Sequence, residues 1–307
     1  MSDKLDTLRG SENRIIAGLT LGYKLPGGIG DQVFPIVPVD KMTGKFMKFS
    51  PDGFVHRETA RALRSDANEF DFKATYDTFS LEAHALQSGI DHLEEHEAVF
   101  DIRKRLAMIL QQSIITDREI DQATIAFADA SAATVAPLTG TAQWSDLTDS
   151  NPFADVRTAK ASVRSAIGIE PNTMIMGMSV WEYLQQNETI LERIKFSERG
   201  IITEEIIKAA FGVENLLVGK GVYNTTPHAT DPTFTDAWGK HVVLAYIDPN
   251  PGLDAMTWGM TFRLKNWPKT WTNVKHNTFV DGVAQEDVWE VNVVTTGAAY
   301  KIKNAVA

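Results

Sequence analysis

The sequence predicts an α+β protein, in which long strands and helices occupy different stretches of the 307 residues. Three observations carry this prediction. Residues 76–83 alternate in polarity with the two-residue period of a strand. Residues 91–128 place apolar side chains at three- and four-residue steps, which is the period of a helix. Residues 151–256 then alternate short helical patterns with short apolar strands.

The composition excludes several classes of protein. The chain is 43% hydrophobic and 23% charged, which is typical of a globular protein with a sizeable core. It has no run of about 18 apolar residues, so no membrane span is predicted, and its polar start has no secretory signal. Cysteine is absent, which excludes disulfides and thiolate metal sites. The net charge of −10 disfavours binding to nucleic-acid phosphates, so sequence-specific recognition of DNA is not expected.

The first 85 residues are predicted to form extensions of the molecule. Residues 1–32 are polar and rich in glycine, which is typical of an arm that lies on another surface. Residues 33–85 predict an extended ribbon, with a hairpin turn at Thr43 and Gly44. The ribbon has too few apolar side chains on either face for a core of its own. We therefore expect the arm and the ribbon to find their missing burial on neighbouring copies of the chain.

The loop 56–71, at the tip of this ribbon, carries charges of both signs. A charged loop of this kind is commonly exposed to solvent without any binding role. Because the ribbon needs a partner, the mixed charges also suit ion pairs with another copy of the chain. The candidate intersubunit contacts are Arg57, Glu58, Arg61, Arg64, Asp66, Glu69 and Asp71.

The helical pattern over 91–128 predicts one uninterrupted helix, because no glycine or proline breaks it. About 30 residues of helix would make a rod of roughly 45 Å. The heptad repeat is not sustained, which favours a spine across a sheet over a coiled-coil stalk.

The compact stretch 151–256 carries clear signals for the ends of its helices. Asn151 is predicted to cap a helix that Gly168 ends. Ser179 and Glu182 predict a capping box, and Thr203 is predicted to cap a later helix. The apolar stretches 173–178, 216–218 and 241–247 predict its strands.

No catalytic residue or cofactor site is predicted. The Gly-Lys-Gly at 219–221 follows a strand, but it lacks the hydroxyl residue that a phosphate-binding P-loop requires, so it predicts a turn. Ser179 follows a strand as a hydrolase nucleophile would. However, Trp181 occupies the position where the tight elbow needs a second glycine.

A metal site is not predicted either. His92 and His96 lie four residues apart, which is a spacing that can ligate zinc, but the H-E-x-x-H order is absent. A solvated helix start is favoured over a weak metal site. The acidic residues also do not form a calcium-binding loop pattern.

Residues 152–224 contain a series of motifs in a fixed order: PNT before a strand, VW at a helix start, ERIK, a helix with RGI-T-E, and VGKGVYN. In this order they resemble the major capsid proteins of tailed bacteriophages. The likeness covers about a quarter of the chain, and the remainder matches in the order of its elements. The resemblance implies an HK97-like capsid fold. Its parts would be an N-terminal arm (1–32), an E-loop ribbon (33–85), a peripheral domain with a spine helix (86–150 and 257–307), and an axial domain (151–256).

The resemblance also implies a function. It indicates a structural protein, not an enzyme, that self-assembles into hexamers and pentamers of an icosahedral phage head around double-stranded DNA. The expected partners are other copies of the chain, a separate scaffolding protein, a portal and a decoration protein. A separate scaffolding protein is expected because only about 32 residues precede the ribbon. The packaged DNA would lie close by without sequence-specific binding. The expected location is the virion, after assembly in the host cytoplasm.

Some relatives crosslink a lysine of the E-loop to a neighbouring subunit. That chemistry needs a placed catalytic carboxylate in a dry site, and we do not expect it here. The lysines on the ribbon are Lys41, Lys45, Lys48 and Lys73.

Two alternatives stay open at this point. An encapsulin-like bacterial compartment would have the same fold but would enclose a cargo enzyme. A soluble α/β enzyme could instead be built on residues 151–256, but it would require a polar pocket with perturbed titratable groups, and the sequence indicates none.

Overall fold

A computed structural model describes residues 26–48, 55–61, 63, 64, 66, 68, 69, 75–98, 101–194, 203–226, 231–275 and 280–307. This part of the chain contains seven α-helices, and none has the length and apolarity of a membrane span. In chain order the helices are α1 (Gly30–Val33), α2 (His92–Glu97), α3 (Ile102–Ala126), α4 (Pro152–Ile167), α5 (Met178–Gln186), α6 (Glu188–Ile194) and α7 (Glu204–Phe211).

The same part of the chain contains fourteen strands. They are β1 (Ile36–Val39), β2 (Thr43–Met47), β3 (Tyr76–Ser80), β4 (Glu82–Asp91), β5 (Thr134–Pro137), β6 (Thr173–Gly177), β7 (Asn215–Gly219), β8 (Val222–Asn224), β9 (Phe234–Asp236), β10 (Val242–Ala245), β11 (Gly259–Leu264), β12 (Lys269–Lys275), β13 (Val280–Val293) and β14 (Ala299–Lys303).

The first five-stranded sheet is organised around β13. Its order is β1-β11-β13-β12, and β4 also pairs with β13. Only β1 with β11 is a parallel pair; the other pairs are antiparallel. Helix α3 packs against β13 and β4, so the long helix crosses one face of this sheet as the spine interpretation predicts.

The second five-stranded sheet has the order β5-β14-β10-β6-β7. Every residue of β6 and β10 is buried, because helices α4, α5 and α7 pack on this sheet. Two of its strands, β5 and β14, come from outside the range 151–256 that was predicted for the axial domain. The sheet therefore extends beyond that range, and the division of the chain into domains stays a prediction.

The largest hydrophobic cluster contains residues of both sheets, and two smaller clusters lie at the first sheet. The members of the largest cluster run from Ile29 to Val306 and include side chains of α3, β13 and all three buried strands β6, β10 and β14. Four tryptophans, none more than 1% exposed, lie within it: Trp144, Trp238, Trp258 and Trp289.

The predicted uninterrupted helix over 91–128 is wrong. Helix α2 ends at Glu97, and Ala98 has extended dihedral angles of φ −70° and ψ 135°. Two aspartates start separate helices: Asp91 forms a capping box with Glu94, and Asp101 accepts a hydrogen bond from the Lys104 amide. The spine is thus α3 alone, whose 25 residues span about 37 Å.

The helix starts and ends predicted between residues 151 and 212 are partly confirmed. The Asn151 side chain accepts a hydrogen bond from the Ala154 amide, and Gly168 ends α4 in the left-handed conformation at φ 78°. The predicted capping box at Ser179 is wrong, because α5 already begins at Met178 and Ser179 lies inside its first turn. Thr203 is the cap residue of α7, but its side chain makes no capping hydrogen bond.

The predicted hairpin at Thr43 and Gly44 is also wrong. These residues begin β2, which pairs with β3, whereas β1 joins β11 in the first sheet. The reason is burial: Val37 and Val39 of β1 pack into an apolar cluster with β11 instead of lying along an isolated ribbon.

Candidate assembly surface

The ribbon has a base that is packed against its own subunit. We use "ribbon base" for β2 and β3, which form an antiparallel pair. Phe46 and Phe79 are 2% and 5% exposed, and their ring centroids lie 5.3 and 4.5 Å from that of Phe262 on β11. The expectation that all of residues 33–85 lack burial within the subunit is therefore wrong for the ribbon base.

A short polar section extends the pairing beyond the base. The Lys48 amide donates to the Thr75 carbonyl at 2.8 Å, and the Lys48 ammonium lies 2.7 Å from the Asp77 carboxylate. The hydrogen bond from Lys48, together with one from the Thr78 amide, holds the pKa of Asp77 below its ordinary value.

The described residues between 55 and 69 form the ribbon tip, and all of them are exposed. Asn68 donates from its side chain to the Glu58 carbonyl at 2.8 Å, which joins two parts of the tip. Leu63 is 93% exposed and Val55 is 52% exposed, so apolar side chains stand among the charges.

The structure places most of the predicted contact residues on this exposed tip. Arg57 and Arg61 also have interactions within the chain. Asp71 lies outside the described residues. The exposed candidates are Arg57, Glu58, Arg61, Arg64, Asp66 and Glu69.

The described end of the predicted arm, residues 26–32, is anchored in the subunit, and we call it the arm root. Ile29 is buried, and the Glu119 carboxylate on α3 accepts hydrogen bonds from the amides of Ile29 and Gly30 at 2.7 and 3.0 Å. The same carboxylate accepts from the Trp238 indole at 2.7 Å. A Cβ at Gly30 would lie only 1.9 Å from a Gln122 side-chain oxygen and 2.7 Å from a Glu119 oxygen, so a larger residue would displace these two side chains. Residues 1–25 lie outside the described residues.

A buried ion network continues this anchor into the first sheet. Arg118 contacts Asp31 at 3.0 Å and Asp287 at 3.3 Å. Asp287 is fully buried and also accepts from Arg263 at 2.7 and 2.9 Å. Because each charge in such a network has an opposite partner, the arm root, α3, β11 and β13 are held in one arrangement.

A second ion cluster fixes the last strand, β14, to the end of α3. The Lys301 ammonium contacts the Phe127 carbonyl and lies 2.7 Å from Asp129, and Lys303 also contacts Asp129. These two lysines lower the pKa of Asp129 to about 2. Nearby, burial lowers the pKa of His241, whose Nδ1 accepts from the Asn304 amide.

The Gly-Lys-Gly stretch is the turn that the sequence predicts. It connects β7 to β8, and Lys220 is engaged by the Glu204 carboxylate at 2.7 Å. The Lys220 amide donates to the Gly27 carbonyl, so one backbone donor of the loop is already used.

The two histidines at helical spacing do not act together. His92 lies 3.9 Å from Asp281 and close to Glu95, whereas His96 is not part of this group. The Arg103 guanidinium bonds to both Glu95 and Asp281 and supplies the positive charge there.

A cleft of about 320 Å³ lies between α4 and α7. The titratable groups that line it are the cations Arg157, Lys160 and Arg193. Burial lowers the pKa of Lys160, but its ammonium already donates to the carbonyls of Phe211 and Gly212 at the end of α7. The perturbed group therefore closes a helix end, as basic side chains commonly do.

Two joined sheets, a helix that crosses one of them, an anchored arm root and a projecting ribbon define a class of protein: the subunits of HK97-type shells. The structure of a phage-related protein from Bordetella bronchiseptica shares the fold with a TM-score of 0.78 and 25% identity, covering 96% of this chain and 97% of that one. The capsid protein of the cyanophage P-SCSP1u shares it with a TM-score of 0.61 and 11% identity, covering 90% and 88%.

The chain belongs to the family described as phage major capsid protein E, whose model matches residues 86–258. A relative from Burkholderia phage BcepMu, named "Major capsid protein", is 30% identical over 298 residues, which are 94% of each chain. The fold also occurs outside phages: the SrpI encapsulin of Synechococcus elongatus has a TM-score of 0.51 and 11% identity, covering 89% and 85%.

Proposed function

We propose that this chain is the major capsid subunit of a phage head, and that it assembles into hexamers and pentamers of an icosahedral shell around double-stranded DNA. The observation that carries the proposal is the likeness to a phage relative named "Major capsid protein" over 94% of both chains. The matched span is long enough to include the ribbon, the spine and both sheets.

The division of the ribbon supports this function physically. Its base is fixed on Phe262 through Phe46 and Phe79. The tip then presents charges of both signs and the apolar Leu63 to its surroundings. Burying one such leucine on a neighbour stabilises the contact by about 1.5–3 kcal/mol. Because every subunit repeats its contacts in a closed shell, weak single contacts combine into a strong one.

The proposal extends to the arrangement of the subunit in the shell. The second sheet and helices α4, α5 and α7 would form the axial part around five-fold and six-fold axes. The first sheet and α3 would form the peripheral part.

The expected partners follow from the same proposal. Other copies of the chain form the shell, with a separate scaffolding protein, a portal and a decoration protein. Assembly takes place in the host cytoplasm, and the product is the virion capsid. The net charge of −10 suits a wall along which packaged DNA slides without binding.

The experiment is assembly of the full-length protein, scored by electron microscopy and size-exclusion chromatography. We expect closed shells built of hexamers and pentamers. The charge-reversed variant with Arg57→Glu, Arg61→Glu and Arg64→Glu should assemble poorly, while its circular dichroism and unfolding midpoint stay those of the wild type.

The control reverses the charge of Arg164 by Arg164→Glu. Arg164 is an exposed cation of α4 whose partner is Glu170. Normal shells from the triple variant would show that the tip is not an intersubunit contact. Small oligomers of the wild type, with the scaffolding protein present, would refute the shell itself.

An encapsulin-like compartment is the second candidate, because an encapsulin shares the fold. The two candidate functions differ in what the particle encloses. Particles purified from their native host should contain double-stranded DNA that nuclease cannot reach. A protein cargo without DNA would favour the compartment.

A further inference from the structure

Three side chains with metal-binding chemistry meet between β4 and α3. Asp117 and Asp121 are four residues apart on α3 and therefore lie on one face of the helix. That face meets β4, where His84 Nδ1 lies 3.4 Å from an Asp117 carboxylate oxygen. One ligand atom from each of the three residues lies within 4.8 Å of the other two.

The group is held in place by one buried aromatic side chain. Trp289 on β13 is 1% exposed, and the His84 ring stacks on it with 3.7 Å between centroids and 8° between planes. The Trp289 side chain also hydrogen-bonds to Asp121. One tryptophan thus orients both the imidazole and a carboxylate, which is the role that outer-shell residues have in metal sites.

The charges around the group are not balanced. Three carboxylates, those of Asp117, Asp121 and the nearby Glu82, lie close to the single imidazole of His84. The nearby Arg118, whose guanidinium lies 5.8 Å from the Trp289 ring, is already engaged by Asp31 and Asp287.

The chain offers an internal comparison. Among the described residues, a second group of one histidine and two carboxylates is His92, Glu95 and Asp281. There the Arg103 guanidinium lies between the carboxylates and neutralises them. In the first group the ion pair instead joins Asp117 to the proposed ligand His84.

We propose that His84, Asp117 and Asp121 form a binding site for a divalent transition-metal ion, of which Zn²⁺ is the best fit. An imidazole nitrogen with two carboxylate oxygens is a donor set that such ions prefer. In a tetrahedral site the ligand atoms lie about 2.1 Å from the metal and so about 3.4 Å from one another. His84 and Asp117 already have this separation. The other separations, which are within 4.8 Å, would have to shorten by up to about 1.4 Å when the ion binds. Water, or the nearby Glu82, supplies the fourth ligand.

The bound ion would crosslink the ribbon to the spine. His84 lies on β4, the strand that directly follows the ribbon base, and the two aspartates lie in the C-terminal half of α3. The site would therefore stiffen the connection between the projecting ribbon and the body of the subunit.

The test uses full-length protein treated with EDTA and then dialysed. Titration with ZnCl₂, followed by calorimetry, should show one site per subunit, and saturating Zn²⁺ should raise the melting temperature by about 2 °C or more. His84→Gln and Asp121→Asn should each weaken Zn²⁺ binding at least about tenfold, because even outer-shell changes commonly weaken metal binding by that amount.

The matched control is His92→Gln, which changes the group that Arg103 fills and should leave Zn²⁺ binding unchanged. Asp121→Asn should fold normally in EDTA, because asparagine has the same shape and keeps an oxygen that can accept from Trp289, and its melting curve verifies this. The proposal is overturned if the wild type binds no Zn²⁺. It is equally overturned if His92→Gln weakens binding as much as His84→Gln does, or if Asp121→Asn folds and binds normally. The readout is binding per subunit and does not depend on shell assembly.

Discussion

The base and the tip of the ribbon belong to one continuous extension, yet their side chains have opposite surroundings. At the base, Phe46 and Phe79 are almost fully buried on Phe262. At the tip, Leu63 is 93% exposed and its neighbours are charged. The difference shows that one projecting element can have a part that is buried on its own subunit and a part that is exposed. One part contributes to the stability of the subunit, and the other is left for contacts with other molecules.

The largest effect on subunit stability is expected at the base. Phe262→Ala should lower the free energy of unfolding by about 3–5 kcal/mol, because it leaves a cavity beneath two aromatic rings. Denaturant unfolding of the unassembled subunit measures this change. Phe234→Ala is the matched control, since Phe234 is 64% exposed and should change stability by less than about 0.5 kcal/mol. Equal effects of the two substitutions would mean that the base is not packed as described.

The arm root should behave like the base and not like the tip. Glu119→Gln places an amide donor where Oε2 now accepts from the Gly30 backbone amide, which should cost about 1–3 kcal/mol of unfolding free energy. Glu205→Gln, at an exposed position of α7, is the control and should be neutral. If Glu119→Gln is also neutral in denaturant unfolding, the arm root is not held by this carboxylate.

A smaller effect is expected from pH, at the boundary between base and tip. Because the pKa of Asp77 is lowered from 3.8 by Lys48 and Thr78, these contacts stabilise the folded ribbon above that pH. Their contribution is lost as pH falls through the lowered pKa. The stability difference between the wild type and Asp77→Asn should therefore shrink below pH 3.8. Since the ion pair is exposed, the difference at neutral pH should be at most about 1 kcal/mol. A difference that grows towards acid pH would contradict this assignment.

The smallest effect on the subunit is expected from Leu63→Ala at the tip. Its unfolding free energy should change by less than about 0.5 kcal/mol, because the side chain is already in solvent. Assembly should nevertheless be weakened, with a higher protein concentration needed for shells. Leu253→Ala, at another exposed leucine, provides the comparison. A large loss of subunit stability from Leu63→Ala would erase the distinction between base and tip.

Features whose signals are local in sequence could be predicted. The cap at Asn151, the end of α4 at Gly168 and the strand at 173–177 each depend on residues within a few positions of one another. The same holds for the charged tip, because exposure follows directly from a run of charged residues.

Features that depend on pairing between distant parts of the chain could not be predicted from the sequence. Strand β1 pairs with β11, which is more than 220 residues further along the chain, so the hairpin at Thr43 and Gly44 was the simpler local interpretation. The interruption of the spine did have a local signal: Asp91 with Glu94 fits a capping box, and Asp101 is a favourable cap. The proposed metal site of His84, Asp117 and Asp121 could be predicted only in part. The spacing of Asp117 and Asp121 is visible in the sequence, but the approach of His84 requires β4 to lie beside α3.

The pairing of β4 with β13 has a mechanical consequence. Ten residue pairs run along this antiparallel ladder, from Glu82 opposite Trp289 to Asp91 opposite Val280. A pull on the ribbon that is directed along β4 would load these hydrogen bonds in shear, all together, instead of peeling them apart one after another. Tension from a neighbouring molecule is thus spread over the longest strand of the described chain, and from there into the spine that rests on it.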